Sequence, residues 1–186
     1  MEADDTARTS RIKILMAREV EVKILEINRK EIVRNLKKMK ARKIFEGAIE
    51  AVYFDDSKSR LKKGGEVLRL RKKGKNVEMT VKKRRHGRGA KVMDEYEVQT
   101  GDFNQAKKIL SQLDFKEIRR FRKRRSSYSL GKVHFEIDKY PRIPAFLEIE
   151  AASLKKVKAV LQRLGYSLKD TKPWSTFELF EYYRKR

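Results

Sequence analysis

The segment Glu19-Val20-Glu21-Val22-Lys23 alternates charged with apolar side chains. Successive side chains of a β-strand point to opposite faces, so this pattern predicts a strand that carries both glutamates and the lysine on one face. The spacing of two glutamates around one apolar residue returns at Glu95-Tyr96-Glu97 and at Glu148-Ile149-Glu150. The sequence therefore predicts three acidic strands, each with a pair of carboxylates on a single face.

A segment with helical periodicity follows each acidic strand within a few residues. Asn28, Asp102 and Ser153 are suited to cap the three helices, because their side chains accept hydrogen bonds from the free backbone N–H groups of a first turn. The apolar residues that follow each cap are Ile32, Leu36 and Met39, then Ala106, Leu110 and Leu113, then Val157, Leu161 and Leu164. This unit of acidic strand and amphipathic helix resembles an internal repeat, with further strands predicted over 44–55, 67–71 and 118–130.

Basic residues alternate with apolar ones in the remaining strands, as in Leu68-Arg69-Leu70-Arg71 and Thr80-Val81-Lys82. In a single strand this pattern normally means that the charged face meets water. Seven or eight such strands tend to curl or close, and three amphipathic helices are available to cover their apolar face. We therefore expect the charged faces to line a tunnel, in which basic groups bind phosphate and divalent cations neutralise the carboxylates.

Composition limits the chemistry available to the chain. Its 186 residues include 49 Lys and Arg, 26 Asp and Glu, two His and no Cys, for a net charge of +23. The absence of Cys excludes disulfides, a thiolate nucleophile and Cys-ligated metals, so any metal is a hard cation held by oxygen, Mg²⁺ or Mn²⁺. The charge predicts an anionic partner without identifying it, and the basic runs 82–85 and 119–125 suit either a nucleic-acid surface or a solvated face.

The chain shows no apolar run long enough to span a membrane, and its first ten residues are polar and acidic, unlike a signal peptide. We expect a cytoplasmic protein without a membrane partner. Residues 1–14 are predicted to form a loosely ordered tail and 15–186 a single domain, as a monomer or a homodimer.

The order of these motifs resembles the CYTH, or triphosphate tunnel metalloenzyme, superfamily. The matching motifs are ExExK at 19–23, LRxR at 68–71, TxK at 80–82, ExE at 95–97, KxR at 123–125, a strand ending in Asp at 134–138 and FxEhE at 146–150. The resemblance extends from about Arg18 to Tyr166, and the last two motifs are most similar to the class IV adenylate cyclase branch. It implies an α+β fold, an eight-stranded closed antiparallel β-barrel that forms a triphosphate tunnel with helices packed outside.

The resemblance also implies roles for individual residues. The substrate-binding residues it implies are Lys23, Arg69, Arg71, Lys82, Lys123 and Arg125. The metal ligands it implies are Glu19, Glu21, Glu95, Glu97, Asp138, Glu148 and Glu150, of which Glu21, Glu97, Asp138 and Glu150 are also the catalytic candidates. The segment 49–52 lacks the polar residue expected there, and the aromatic residues of the last helix are expected to pack rather than to stack on a base.

Three functions remain open from the sequence. A class IV adenylate cyclase would convert ATP to cyclic AMP and pyrophosphate, with the 3′ hydroxyl as the nucleophile. A tripolyphosphatase or thiamine triphosphatase would use the same carboxylates with water as the nucleophile. The third alternative, prompted by the net charge, is a noncatalytic binder of a nucleotide or of RNA, and the motifs favour the cyclase among the three.

Overall fold

A computed structural model describes the backbone of residues 19–85 and 91–186, and the side chains of residues 20–84 and 94–186. The predicted tail 1–14 and the side chain of Glu19 lie outside the described residues. The strands are β1 (Glu19–Ile24), β2 (Arg42–Asp55), β3 (Glu66–Lys73), β4 (Asn76–Arg85), β5 (Lys91–Thr100), β6 (Lys116–Leu130), β7 (Val133–Lys139) and β8 (Phe146–Ala151). The helices are α1 (Arg29–Lys38), α2 (Arg60–Lys63), α3 (Phe103–Gln112), α4 (Leu154–Arg163) and α5 (Thr176–Arg184), with a 3₁₀ turn at Leu168–Asp170.

The eight strands form one curled antiparallel sheet, in the order β1-β5-β4-β3-β2-β6-β7-β8. The pairing returns from β8 to β1, so the interstrand ladder closes into a barrel. Among the described residues, β1 and β5 are paired at three positions, Glu19 to Glu21 with Met93 to Lys91. The predicted α+β class, with eight antiparallel strands and accompanying helices, is confirmed.

The three predicted helices begin at the predicted caps. Asn28 Oδ1 accepts from the backbone N–H groups of Lys30 and Glu31, at 3.1 and 3.2 Å. Asp102 and Ser153 accept in the same way at the starts of α3 and α4. Leu113, predicted to face the core, instead ends α3 with 62% of its surface exposed. No helix within the described residues is long and apolar enough to cross a bilayer.

The helices cover the outer face of the sheet in two separate places. The apolar sides of α1 and α4 pack on the outward residues of β1, β7 and β8, with Leu36 and Leu161 fully buried between them. The apolar side of α3 packs through Ala106 and Leu110 on outward residues of β2, β3 and β4. The burial of these apolar faces fixes which face of each strand points inward, because the two faces alternate.

Helix α5 packs against aromatic residues on the inner face of β2 and β6. The ring of Phe177 lies 5.0 Å from that of Tyr53, and the ring of Phe180 lies 4.5 Å from that of Phe121. This packing explains why residues 49–52 lack an inward polar side chain, since Ile49 and Ala51 continue the apolar part of the inner face. The aromatic residues of the last helix therefore pack, as the sequence predicts.

Two neighbouring positions on α3 test the assignment of its buried side. Leu110 is 5% exposed and Ile109 is 61% exposed. Leu110→Ala is expected to lower the free energy of unfolding by about 2 to 5 kcal/mol, because it leaves a cavity in the core, whereas Ile109→Ala should change it by at most about 0.5 kcal/mol. Urea denaturation of both variants measures the difference, and equal effects would contradict the described orientation of α3.

Candidate functional site

The strand registers bring the predicted charged residues onto the inner face of the sheet. Lys23 lies opposite Glu148 and Glu21 opposite Glu150 across β1 and β8. Across the other ladders, Arg69 lies opposite Thr80, Thr80 opposite Glu97, Lys82 opposite Glu95, and Arg125 opposite Asp138. Directly paired residues of antiparallel strands point to the same face, so these side chains share one interior.

One cluster of ion pairs joins β1, β6, β7 and β8. The guanidinium of Arg125 donates two hydrogen bonds of 2.6 Å to the two oxygens of Asp138, which is fully buried. Lys123 Nζ donates to the same carboxylate at 2.6 Å. Glu148 lies between Arg125 Nη2, at 3.4 Å, and Lys23 Nζ, at 3.0 Å. The cluster is thus a continuous chain of alternating charges.

The pKa shifts in this cluster favour paired, ionised groups with one exception. Burial opposes ionisation of both buried carboxyls, but nearby cations outweigh it. Arg125 and Lys123 lower the pKa of Asp138, and Lys23 and Arg125 lower the pKa of Glu148. Burial likewise opposes the charged form of Lys23, and the carboxylates of Glu148 and Glu21 outweigh it and raise its pKa. For Lys123, burial together with the charge of Arg125 lowers the pKa to about 8.

A second cluster lies across β3, β4 and β5. Arg71 contacts the carboxylate of Glu78, and Arg69 Nη2 lies 3.6 Å from the same group. Lys82 Nζ lies 2.5 Å from Glu95, whose other oxygen lies 3.8 Å from Arg69. The Thr80 hydroxyl donates to Glu97 Oε2 at 3.4 Å and accepts from Arg69 at 3.3 Å.

The electrostatics of the second cluster are less balanced than those of the first. Burial and the nearby carboxylate of Glu78 raise the pKa of Glu97. Burial and the neighbouring charge of Arg69 lower the pKa of Arg71. The buried atoms Arg69 Nε, Arg71 Nε and Glu78 Oε1 make no hydrogen bond that meets normal geometry. This cluster consequently carries buried donors that an anion could satisfy.

Two acidic residues of the interior were missed by the sequence analysis as site residues. Glu78 is 5% exposed and contacts Arg71, and Glu136 is 7% exposed, contacts the Ser127 hydroxyl and lies 3.5 Å from Arg125 Nε. Each continues the alternation of a recognised motif, Glu78 two residues before Thr80 and Glu136 two residues before Asp138. The period of two could have found both, whereas the family motifs assign no role to either residue.

The remaining predicted residues have the following positions. Glu21 contacts Lys23 and is partly exposed. In the ladders of β8, Glu150 is paired with Glu21 of β1 on one side and with His134 of β7 on the other. The Glu150 side chain is not without a partner in the protein. His134 itself is exposed. Glu19 is the first residue of β1.

The described interior contains more acidic than basic groups. The basic side chains are Lys23, Arg69, Arg71, Lys82, Lys123 and Arg125, joined by half-buried Lys73 at the end of β3. The acidic ones are Glu21, Glu78, Glu95, Glu97, Glu136, Asp138, Glu148 and Glu150. These carboxylate oxygens suit a hard divalent cation in kind, and a polyanion could enter this interior only with added positive charge.

The carboxylates are held by lysine and arginine rather than gathered around one point. Within residues 19–85 and 91–186, no group of three or more acidic or histidine side chains is arranged to hold a metal ion. Two pairs of carboxylates are directly opposite each other in the ladders, Glu21 with Glu150 across β1 and β8, and Glu136 with Glu148 across β7 and β8. The carboxylate oxygens are therefore of the kind that a divalent cation prefers, although in this structure they form ion pairs with lysine and arginine.

Comparison with known proteins gives consistent matches. The family model described as the CYTH domain matches residues 17–165. A protein of Methanocaldococcus jannaschii named "putative adenylate cyclase" is 30% identical over 132 residues, which cover 71% of this chain and 75% of that protein.

Solved structures show the same fold. A protein of Pyrococcus horikoshii superimposes with a TM-score of 0.73 and 28% identity, over 87% of this chain and 98% of that chain. A Hippeastrum protein named "putative adenylyl cyclase", for which a dominant triphosphatase activity is described, superimposes with a TM-score of 0.64 and 15% identity, over 90% and 96% of the two chains. Because the Hippeastrum protein is 15% identical to this chain, its similarity shows a shared fold and nothing more.

The shifted pKa of Lys123 gives a testable pH dependence. Its folded pKa of about 8 lies below the ordinary value of 10.5, so between these pH values the unfolded chain binds more protons than the folded one. This group should therefore stabilise the fold fully above pH 10.5 and lose that contribution as the pH falls through 8.

NMR of ¹³C-labelled lysine, with Lys123→Arg to assign the resonance, should show a midpoint near pH 8. Lys23, assigned with Lys23→Arg, serves as the internal comparison and should titrate above its ordinary value. A Lys123 midpoint near 10.5 would contradict the described burial.

Proposed function

The chain belongs to the CYTH domain family, and we propose that it is a metal-dependent enzyme acting on a triphosphate substrate held within the curled sheet. The observation that carries this proposal is the inner face itself. Basic residues of four strands, β1, β3, β4 and β6, point into one interior that also holds eight carboxylates. An extended anion of several charges, accompanied by cations, is the ligand class that matches such a lining.

The six basic residues are assigned to the phosphates. Arg69, Arg71 and Arg125 offer planar forks that suit phosphate oxygens, and Lys23, Lys82 and Lys123 offer compact charges. A bound triphosphate would replace carboxylates as their partner, and it would supply acceptors for the buried Nε atoms of Arg69 and Arg71. Its charge would also favour the protonated form of Lys123, whose pKa burial lowers to about 8.

The acidic residues are assigned to the metal. The CYTH superfamily is metal-dependent, and we infer that Glu21, Glu148 and Glu150 would hold Mg²⁺ or Mn²⁺ at β1 and β8, together with Glu19. Glu95, Glu97 and Asp138 are the other candidate ligands. When bound, such a cation neutralises phosphate charge and polarises a phosphorus–oxygen bond. Glu21, Glu97, Asp138 and Glu150 are the proposed catalytic residues.

The chain's own residues would act mainly by position and charge. Arg125, fixed by two hydrogen bonds to Asp138, and Lys23, fixed by Glu148, hold defined places on the wall of the interior. A phosphate chain bound to such fixed groups is aligned for in-line displacement, and the developing charge on its oxygens meets cations already in place.

The nucleophile separates the two candidate reactions. Cyclisation of ATP to cyclic AMP and pyrophosphate is the first, supported by the motifs at 134–138 and 146–150 and by the name of the 30% identical archaeal relative. Hydrolysis of tripolyphosphate or thiamine triphosphate is the second, supported by the activity described for the Hippeastrum protein of the same fold.

Product analysis tests the proposal. The protein is incubated with Mg²⁺ or Mn²⁺ and, separately, with ATP, tripolyphosphate and thiamine triphosphate, and the products are identified by chromatography. Cyclic AMP with pyrophosphate from ATP is the expected result, because the motifs favour the cyclase. Release of orthophosphate from any of the three substrates would show that the reaction is hydrolysis rather than cyclisation. If none of the three substrates is turned over with either metal, the proposal that the protein is an enzyme is contradicted.

Substitution of glutamate by glutamine removes the charge and keeps the size of the side chain, so it tests the roles of the acidic residues. Glu21→Gln and Glu150→Gln should each lower metal-dependent turnover by about 10²-fold or more, since a metal ligand would be lost, with little change in unfolding. Glu181→Gln, on the exposed side of α5, should retain full turnover. Equal turnover in all three variants would refute the roles of Glu21 and Glu150.

A further inference from the structure

The outer face of β2 and β6 lies between the two helical layers. Outward residues of β1, β7 and β8 are covered by α1 and α4, and those at the start of β3 and the end of β2 are covered by α3. Between these layers Arg122 and Arg124 of β6 and Lys72 of β3 are exposed to solvent. The proposed triphosphate site does not use this face, because it lies on the opposite side of the same strands.

The basic run 119–125 is divided between the two faces by the strand period. Lys123 and Arg125 point inward to Asp138, while Arg120, Arg122 and Arg124 point outward. The interior accounts for Lys123 and Arg125 and leaves the three outward arginines without a role. The three outward arginines follow one another at every second residue, which in a strand is a spacing of about 6.6 to 6.8 Å.

A cavity of about 690 Å³ opens on this outer face and extends past the strands to the inward residues Ile49 and Lys123. Its outward lining includes the small, exposed residues Ala48 and Gly74 and the basic residues Lys72, Arg122, Arg124 and Lys139. The ladders place Ala48 beside Arg124, and Arg124 beside Lys139. Glu50 is the acidic residue of the lining, and it accepts hydrogen bonds from Arg120 at 2.5 Å and Arg122 at 3.3 Å.

The charge of the molecule points to the same surface. The chain carries a net charge of +23, yet the charged groups of the described interior nearly cancel and include more acids than bases. The excess of positive charge therefore lies elsewhere on the molecule, and the outward residues of the cavity lining include four basic side chains against one paired acid, Glu50. Such a surface favours a polyanion.

We propose that the outer face of β2, β3, β6 and β7 binds single-stranded RNA. Phosphates of the strand contact Arg122, Arg124, Lys72 and Lys139, and an unstacked base enters the cavity over Ala48. A cavity lined partly by small residues can take the flat, apolar face of a base, which a duplex keeps within its stack. The row of arginines along β6 follows the backbone of an extended strand.

The test uses a labelled oligouridine of twelve nucleotides with a 5′ hydroxyl, so that no triphosphate is available for the interior. Fluorescence anisotropy at several salt concentrations gives the affinity and its salt slope. The double variant Arg122→Gln/Arg124→Gln should bind more weakly, with a salt slope smaller in magnitude by about 1.4, since each lost phosphate contact in a single strand removes about 0.7. Turnover of the triphosphate substrate should remain unchanged.

Lys155→Gln/Lys158→Gln is the matched control, because it removes the same charge from exposed positions of α4. It should leave the affinity and slope close to those of the unaltered protein. Equal weakening by both double variants would overturn the proposal, because binding would then follow net charge alone. The proposal would also be overturned if the protein does not bind the oligouridine, or if it binds an RNA duplex with equal affinity. Binding of the protein to anionic phosphatidylserine vesicles, without binding to RNA, would overturn it as well.

Discussion

The ionic pairing of the inner face is the constraint on which the rest of the structure depends. Charged groups removed from water are costly unless opposite charges and hydrogen bonds compensate them. Here Asp138 is compensated by Arg125 and Lys123, and Lys23 by Glu148 and Glu21. Except for Lys23 with Glu21, which lie on one strand, the pairs come from neighbouring strands, so they form only when the strand register is correct.

The same pairing makes the interior receptive to a ligand. The six basic groups proposed to bind phosphate are each held in place by a carboxylate, so a triphosphate would meet donors that are already positioned. The carboxylates released in the exchange would become available to cations. Ligand and metal would therefore bind as a set, because neither alone restores the charge balance of an interior with more acids than bases.

The division of the inner face between charge and aromatic packing was only partly predictable. Strict alternation in 19–23, 68–71 and 146–150 predicted the inward residues, and the capping residues Asn28, Asp102 and Ser153 predicted the helix starts, because both signals are local. The contact of α5 with Tyr53 and Phe121 depends on residues more than 50 positions apart in the chain. Leu113 was misplaced because periodicity alone does not say where a helix ends.

Glu78 and Glu136 show a different limit. Both follow the strand period, but an acidic residue on an alternating strand reads equally well as solvated, and only the barrel interior turns it into a partner for arginine. Likewise, the run 119–125 reads as one basic patch in sequence. The strand splits it into Lys123 and Arg125 on one side and three outward arginines on the other.

The central claim is that one triphosphate binds to the inward basic residues. Calorimetric titration measures the affinity and stoichiometry of this binding directly. The ligand is imidotriphosphate, whose bridging nitrogens resist hydrolysis, in the presence of Mg²⁺. The proteins compared are the unaltered chain, Arg71→Gln and the outward variant Arg122→Gln. The account predicts one ligand per chain, a marked loss of affinity for Arg71→Gln and an unchanged affinity for Arg122→Gln. Equal affinities for all three proteins, or no binding by the unaltered one, would contradict it.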